Sequence, residues 1–268
     1  TVFNAVLQNL VDQKFPVNDD MKEDAATIIK QIKSAYKSNY GDNYKDSLNQ
    51  ALTSAGYKNL SEYRQRMIKQ IQYANFLLDY IDDHFDDVFN DYYQQCAPKY
   101  VSLIKISVSD TSSPTDDETS KLNEVKELIS NTDKSFGDIA QDYSDDSTSS
   151  KKGSLGIVDS KDTSGIANSY GKDVFNAIEA LSEGQVSDVI TGDNGYYFVK
   201  VTSTDKKTLK KELKKTDIDS PLLAYDDYLQ YVVYNSYKIN YKDKDIKKIV
   251  QEVVNKALEE RKTERGEA

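Results

Sequence analysis

The most distinctive polar feature of the chain is a carboxylate followed by a loop between two glycines. Asp146 comes a few residues before Gly153-Ser154-Leu155-Gly156. A serine between two glycines is found in the nucleophile elbow of some hydrolases. This stretch is not such an elbow, because it lacks the strand–turn–helix context and a nearby base. Asp146, like Asp145 before it, has a plain structural interpretation as a residue that caps and turns the loop. A chemical role for Asp146 stays open beside that interpretation.

The chain has few residues that could support thiol, imidazole or metal chemistry. The chain has 1 Cys, Cys96, and 1 His, His84, which excludes an intrachain disulfide and most zinc sites. His84 lies in a long amphipathic pattern and is expected to be a satisfied or exposed helix residue. The acidic run from Asp82 to Asp91 lacks the looped geometry of calcium sites, so we expect a solvated face. No metal and no cofactor are therefore expected.

Composition narrows the classes of protein further. The 268 residues carry a net charge of −10, and 30% of them are charged. Positions 99–203 alone hold 18 acidic and 10 basic residues. Binding of phosphates needs a basic footprint, so no nucleic-acid partner is expected. No apolar run approaches the ~18 residues of a membrane-spanning helix.

Helical spacing of apolar residues dominates the first 98 positions. The first helix is expected to stop at Pro16, and a capping box at Asp20 predicts the start of the second. The longest apolar stripe predicts one helix that is capped at Ser61 and ends before Pro98. Helical periodicity returns after position 206.

The period changes in the middle of the chain. β-branched residues predict strands at 100–108 and 195–201, with short helices and a long polar loop between them. Neither flanking helical segment has a complete core of its own. The sequence thus predicts an α+β protein in which 1–98 and 204–268 pack together as a mainly helical domain, with 99–203 inserted as an α/β domain.

Four motifs of the insert, in order and spacing, resemble the parvulin family of peptidyl-prolyl isomerases. They are Phe136-Gly-Asp-Ile-Ala-Gln-Asp-Tyr-Ser-Asp-Asp, Gly153-Ser-Leu-Gly156, Ala180-Leu-Ser-Glu-Gly-Gln-Val-Ser-Asp-Val-Ile190 and Gly195-Tyr-Tyr-Phe-Val-Lys-Val201. A parvulin inserted in a divided helical domain is similar to the PrsA foldases and, more distantly, to the SurA chaperones. The resemblance implies an extracytoplasmic protein on the outer face of a Gram-positive membrane, held by a lipid anchor that lies outside residues 1–268.

The resemblance also implies a set of site residues, two of which depart from the family pattern. Parvulins carry a His in the first strand and another in the last, and the matching positions here are Leu103 and Tyr197. The acidic position after the short helix is retained as Asp146, to which the Tyr197 hydroxyl could donate a hydrogen bond. The substrate-binding positions implied by the resemblance are Leu155, Tyr170, Val174 and Phe198.

Two functions follow from these observations and stay open. The first is a chaperone that holds unfolded or partly folded secreted proteins, with weak or lost isomerase activity in the insert. The 20 Tyr residues, many in the helical segments, would supply its client surface. The second is an active isomerase with a rearranged site. A homodimer is a further expectation that the sequence leaves open.

Overall fold

The computed structural model of the protein describes residues 1–131, 133–214 and 218–267. Its helices, in chain order, are α1 (Val2–Lys14), α2 (Asp19–Tyr40), α3 (Tyr44–Ser54), α4 (Leu60–Asp83), α5 (Phe85–Cys96), α6 (Asp116–Asn131), α7 (Phe136–Tyr143), α8 (Ile166–Tyr170), α9 (Lys172–Ala180), α10 (Lys206–Leu213), α11 (Leu229–Ser236) and α12 (Lys244–Glu264). Its strands are β1 (Lys99–Ser107), β2 (Ser154–Val158), β3 (Ile190–Gly192) and β4 (Gly195–Ser203). The predicted fold class, mainly helical with an inserted α/β domain, is confirmed.

The chain folds as two compact units. Thr1–His84 and Thr216–Ala268 form one of them, the helical unit, and Phe85–Lys215 forms the other, the sheet unit. Within the helical unit α12 packs against α1, and α11 packs against α4. The predicted boundaries after positions 98 and 203 both fall inside the sheet unit, because α5 and α10 belong to it.

The long helix predicted from Ser61 to Pro98 is wrong. The chain leaves the helical conformation at His84, where φ is −118° and ψ is 26°, and a new helix starts at Phe85. No proline or glycine marks this break, and the apolar stripe continues across it. The break coincides with the change from one compact unit to the other, so packing rather than local sequence sets it.

Two predicted helix caps are displaced by about one half-turn. The Asn18 side chain accepts a hydrogen bond from the Met21 N–H at 3.0 Å, in place of the capping box predicted at Asp20. The Asn59 side chain accepts from the Glu62 N–H at 2.9 Å, in place of Ser61. Asparagine is as good an N-cap as serine or aspartate, and it stands earlier in each sequence.

The core of the helical unit has an apolar layer between α2 and α4. Met21, Ala25 and Ile29 on α2 pack with three buried residues of α4, which are Met67, Ile68 and Ile71. A buried ion pair ties the end of α12 to the segment before α11. The Asp226 carboxylate lies 2.8 Å from Arg261 Nε and 3.0 Å from Arg265 Nη2. Removal of one partner of such a pair leaves a buried charge uncompensated.

The tyrosines of the helical unit largely serve its packing. Phe3 stacks on the Tyr231 ring at 4.8 Å and meets Tyr234 edge-on at 5.1 Å. Tyr225 is 2% exposed and Tyr234 4%. Every tyrosine from 225 to 237 is buried or half-buried. These rings therefore leave much less surface for a client than the sequence suggested.

The strands of the sheet unit form a four-stranded antiparallel sheet in the order β2-β1-β4-β3, counted over the described residues. Side chains alternate between its two faces. One face packs on Ile166 at the start of α8 and on Val174 and Ile178 of α9. The other face packs on residues of α6 and α7, among them Val125 and Ile139.

Helix α5 is bound to the sheet unit through a buried polar network. The Tyr92 hydroxyl donates a hydrogen bond of 2.8 Å to the carboxylate of Asp159, which is fully buried. The same carboxylate accepts from the Thr163 hydroxyl and from the backbone N–H of Lys161. Burial, followed by the charge of Asp159, raises the pKa of Tyr92. The phenol therefore stays protonated and keeps donating at every ordinary pH.

Candidate functional site in the sheet unit

The register of β1 and β4 places the two positions that match the parvulin histidines on the same face of the sheet. Leu103 pairs with Val199, and Lys105 pairs with Tyr197. Directly opposed residues of an antiparallel pair share a face, so Leu103 and Tyr197 are diagonal neighbours. Both belong to the apolar cluster that packs on α8 and α9.

Phe198 lies on the opposite face. It pairs with Ile104 and belongs to the cluster that packs on α6 and α7. Its predicted substrate-binding role is therefore at odds with the geometry. The alternation of a strand already separates it from Tyr197, so this signal was present in the sequence.

Leu103 is a core residue, with no exposed surface. Its backbone N–H donates to the Gly153 carbonyl at 2.8 Å, which joins the glycine-bracketed loop to β1. A Cβ at Gly153 would lie 2.4 Å from the Leu103 carbonyl oxygen, and φ there is +75°. Only glycine fits this close approach. The loop glycine thus positions Leu155, which packs partly buried against the same cluster.

Asp146 takes the capping role that the sequence left open. Its Oδ1 accepts hydrogen bonds from the Thr148 N–H at 2.9 Å and from the Thr148 hydroxyl at 2.7 Å, at the start of a short 3-10 helix over Ser147–Lys151. The Asp146 side chain is half-buried. The same oxygen is also the acceptor for a tyrosine hydroxyl, at 3.4 Å.

That hydroxyl belongs to Tyr170 and not to Tyr197. Tyr170 ends α8, and its ring meets the Tyr197 ring edge-on, with centroids 6.2 Å apart. Burial first, and then the charge of Asp146, raises the pKa of Tyr170 to about 12. The phenol is thus a neutral donor at physiological pH, beside the acidic position that the family pattern retains.

The Tyr197 hydroxyl is committed elsewhere. It donates to Asn194 Oδ1 at 2.6 Å, on the turn between β3 and β4, and not to Asp146 as expected. A Cβ at Gly192 would lie 2.7 Å from the Tyr197 ring, so this glycine makes room for the ring. Lys105 Nζ lies 5.8 Å from the centroid of the same ring, within reach of a cation–π contact. Burial raises the pKa of Tyr197.

These side chains border a cleft of about 400 Å³. Its walls come from α8 and the start of α9 on one side and from β3 and the following turn on the other. Tyr170, Val174 and Tyr197 line it, together with Ile190 and Asn194, which sequence reasoning did not select. Leu103 and Leu155 lie in the packed cluster and do not line the cleft. Asp146 is joined to the cleft through the Tyr170 hydroxyl.

The described residues offer neither a metal site nor a membrane-spanning helix. No group of three or more His, Cys, Asp or Glu side chains in that part of the chain is placed to hold a metal ion. No described helix is long and apolar enough to cross a membrane. The side chains that line the cleft offer hydrogen bonds and apolar contacts, which are the means of a binding site for a peptide.

The comparison with protein families agrees with this geometry. Residues 103–203 match the family described as Rotamase, PPIC-type PPIASE domain. The insert is thus a parvulin-type peptidyl-prolyl isomerase domain, as its four motifs predicted.

Curated relatives extend the likeness beyond the domain type. Over 141 residues, 50% of this chain, the protein is 32% identical to "Foldase protein PrsA" of Staphylococcus epidermidis and of Staphylococcus aureus. The aligned part is 41% of the length of each relative. Over this part the chain is similar to proteins named foldase PrsA, and the predicted resemblance is confirmed.

Two solved structures of proteins named PrsA also align with this chain. The PrsA structure from Streptococcus pneumoniae is 20% identical, with a TM-score of 0.45 over 93% of this chain and 87% of that one. The PrsA structure from Bacillus subtilis is 22% identical, with a TM-score of 0.42 over 90% and 84%.

Proposed function

We propose that this protein is an extracytoplasmic foldase that holds unfolded or partly folded secreted proteins after translocation, and that its parvulin-type domain has weak or no isomerase activity. The observation that supports the second part is the fate of the two histidine positions. One holds Leu103, a core residue without a polar atom in its side chain, and the other holds Tyr197, whose hydroxyl is bound to Asn194.

The chemistry of prolyl isomerisation explains why these substitutions matter. The enzyme must lower a rotation barrier of ~18–20 kcal/mol about the C–N bond, without forming a covalent intermediate. It does so by binding the twisted amide more tightly than the planar one. In the family, the paired imidazoles are taken to organise the polar groups around the acidic residue and the substrate carbonyl. Here neither position offers a side chain that reaches Asp146.

The alternative is an active isomerase with a rearranged site, and one contact favours it. Tyr170 donates to Asp146 from the wall of the cleft. A neutral phenol with a pKa of about 12 is a stable donor, so this pair offers a polar network without histidine. At 3.4 Å the hydrogen bond is long, which is the reason that this alternative ranks second.

The setting of this function is part of the proposal. Similarity to proteins named foldase PrsA supports a location on the outer face of a Gram-positive cell membrane, with a lipid anchor outside residues 1–268. The partners would be secreted polypeptides, and a homodimer is one form in which the protein would act on them.

One pair of assays tests the proposal on the intact chain. We expect a proline-containing test peptide to isomerise at the uncatalysed rate, while aggregation of an unfolded client is suppressed. Catalysed isomerisation would favour the alternative. If neither activity is found, the foldase assignment itself is wrong.

The variant Tyr170→Phe then separates the two interpretations of the cleft. If residual isomerase activity depends on the Tyr170–Asp146 contact, the variant should lose about tenfold or more of it, because a hydrogen bond to a charged acceptor contributes about 1.5–3 kcal/mol and about 1.4 kcal/mol is tenfold in rate. Tyr143→Phe, which removes a hydroxyl bound to Glu124 on the other side of the sheet, is the matched control. Equal rates in both variants would exclude Tyr170 from catalysis.

A further inference from the structure

We propose that a groove between α2 and α4 of the helical unit binds client segments in which an apolar side chain is flanked by carboxylates. This inference rests on the proposed chaperone function and names the class of segment that it recognises. The groove has a volume of about 480 Å³ and is lined by an apolar floor with basic residues at its rim.

The floor borders the buried apolar cluster between α2 and α4. Ile29 is 7% exposed and sits in the cluster shared by α2 and α4, with Leu60 packed partly buried against it. Ala26, one turn before Lys30 on α2, is exposed and keeps the groove open because its side chain is short. Such a floor offers an apolar side chain a place to leave water, at roughly 25 cal/mol per Å² of apolar surface buried.

The rim is basic in an acidic protein. Lys30 and Lys33 on α2 and Arg64 on α4 line the groove, and no carboxylate is among its described lining residues. Within the described part of the chain, none of these three side chains makes an ion pair, although acidic residues outnumber basic ones in the whole chain by 45 to 35. The net charge of −10 would otherwise repel acidic segments.

Charge complementarity therefore selects the occupant. Carboxylates on either side of an apolar residue would meet Lys30, Lys33 and Arg64 while the apolar residue enters the floor. Arg64 can bind a carboxylate with two parallel hydrogen bonds, which the lysines cannot do. A segment flanked by lysines would place like charges together and would be rejected.

The test is direct peptide binding to the intact chain. The probes are two fluorescent peptides with the same Leu-Phe-Leu centre, one flanked by glutamates and the other by lysines. We expect the acidic peptide to bind more tightly, with an affinity that falls as salt is added. The triple variant Lys30→Glu, Lys33→Glu, Arg64→Glu should weaken binding of the acidic peptide by about tenfold or more.

A matched control separates the effect of the groove residues from the effect of a changed net charge. The triple variant Lys45→Glu, Lys58→Glu, Arg66→Glu makes the same change in charge with exposed residues of the same unit that do not line the groove. It should leave binding within about twofold of the unaltered protein. Ala26→Glu, which fills the groove with one carboxylate, should weaken binding without so large a change in net charge.

Several outcomes would overturn the inference. Equal binding of the two peptides would remove charge as the determinant, and equal loss in both triple variants would assign the effect to net charge. Binding of anionic lipid vesicles that depends on the groove residues, without preference between the peptides, would assign the groove to a membrane surface. Normal suppression of client aggregation together with any of these results would leave the proposed function standing.

Discussion

The cleft of the sheet unit, at about 400 Å³, and the groove of the helical unit, at about 480 Å³, are of similar size, and they differ in how their polar groups are used. In the cleft of the sheet unit the tyrosine hydroxyls are already bound within the protein, Tyr197 to Asn194 and Tyr170 to Asp146. In the groove of the helical unit, Lys30 and Arg64 border an apolar floor, and none of the described residues that line it is a carboxylate. The two tyrosine hydroxyls of the cleft thus already have partners within the protein, whereas the basic side chains at the rim of the groove have no ion-pair partner among the described residues.

The parvulin-type domain combines a retained fold with two site positions that depart from the family pattern. The sheet unit keeps the residues that build the fold, such as Gly153 against β1, while the two imidazoles are replaced by a core leucine and an internally bound tyrosine. Stability can be retained by such substitutions because buried polar groups without partners are costly. We therefore expect the binding of clients to depend on the helical unit.

The boundaries of the sheet unit, Phe85 and Lys215, give the largest expected effect. A fragment of residues 85–214 should unfold cooperatively, whereas a fragment of 99–203 should be less stable by about 3 kcal/mol or more. The shorter fragment loses the buried ring of Tyr92 and leaves Asp159 without one of its donors. Denaturant unfolding followed by circular dichroism measures the difference.

Tyr92→Phe in the longer fragment is the matched control. It measures how much of the lost unfolding free energy comes from the hydrogen bond between Tyr92 and Asp159. It keeps the ring and removes only the hydroxyl, so it should cost about 1–3 kcal/mol. Equal stability of the two fragments would show that α5 and α10 add nothing to the sheet unit.

The second prediction separates the two surfaces physically. A chain in which residues 1–84 are joined to 218–267 by a short flexible linker should still suppress client aggregation, at a molar ratio close to that of the intact protein. The reason is that both segments contribute to one compact unit, in which α12 packs on α1. Light scattering of an unfolded client measures the effect. If the 85–214 fragment alone suppresses aggregation, the client surface lies in the sheet unit.

A third experiment attempts to restore the cleft. The double variant Leu103→His, Tyr197→His should raise the isomerase rate by about tenfold, which is less than the 10²–10³ attributed to one preorganised donor. We expect the smaller gain because position 103 is fully buried, where an imidazole loses hydration. Each single variant should gain less than the double. An unchanged rate in a folded double variant would mean that the substrate pocket around Tyr170 and Val174 has also changed.

The smallest expected effect concerns a carboxylate in the first turn of α6 that accepts hydrogen bonds from the loop between β1 and α6. Hydrogen bonds from the backbone N–H groups of Thr115 and Ser109 lower the pKa of Glu118 to about 2, from its ordinary 4.5. A lowered pKa contributes stability above pH 4.5, and this stability is lost as the pH falls toward 2. Glu118→Gln should therefore lower the Tm of the 85–214 fragment at about pH 7, with the difference vanishing near pH 2. Glu127→Gln, an exposed residue with the same change in charge, should have no such profile.

Much of the fold could be read from local patterns. The change from helical to strand period located β1 and β4, and the four motifs indicated the parvulin-type domain between them. The alternation of side chains along β4 also indicates that Phe198 faces away from Tyr197, which the family pattern does not reveal. Periods and motifs are local properties of the chain, so they can be recognised without knowing which residues pack against them.

The site depended on contacts between distant segments. The Tyr170 hydroxyl lies near Asp146, 24 positions away, only because α8 packs against the β1–β4 face that Tyr197 shares. The Tyr197 hydroxyl turned to Asn194, three positions away, because the hairpin offered a nearer acceptor at 2.6 Å. A hydroxyl can rotate toward any acceptor within reach, so its partner follows from distance in space.

By itself, then, the sequence determined most of the helical segments, the strands β1 and β4, the α+β class and the parvulin-type insert, since each rests on spacing along the chain, but it did not predict β2 or β3. Tertiary structure decided where the units divide and which polar groups are left to meet a ligand. The break at His84 has no proline or glycine to announce it, and it occurs where the apolar stripe passes from one core to another. The basic groove likewise exists only because α2 and α4 pack side by side, which brings Lys30, Lys33 and Arg64 to one rim.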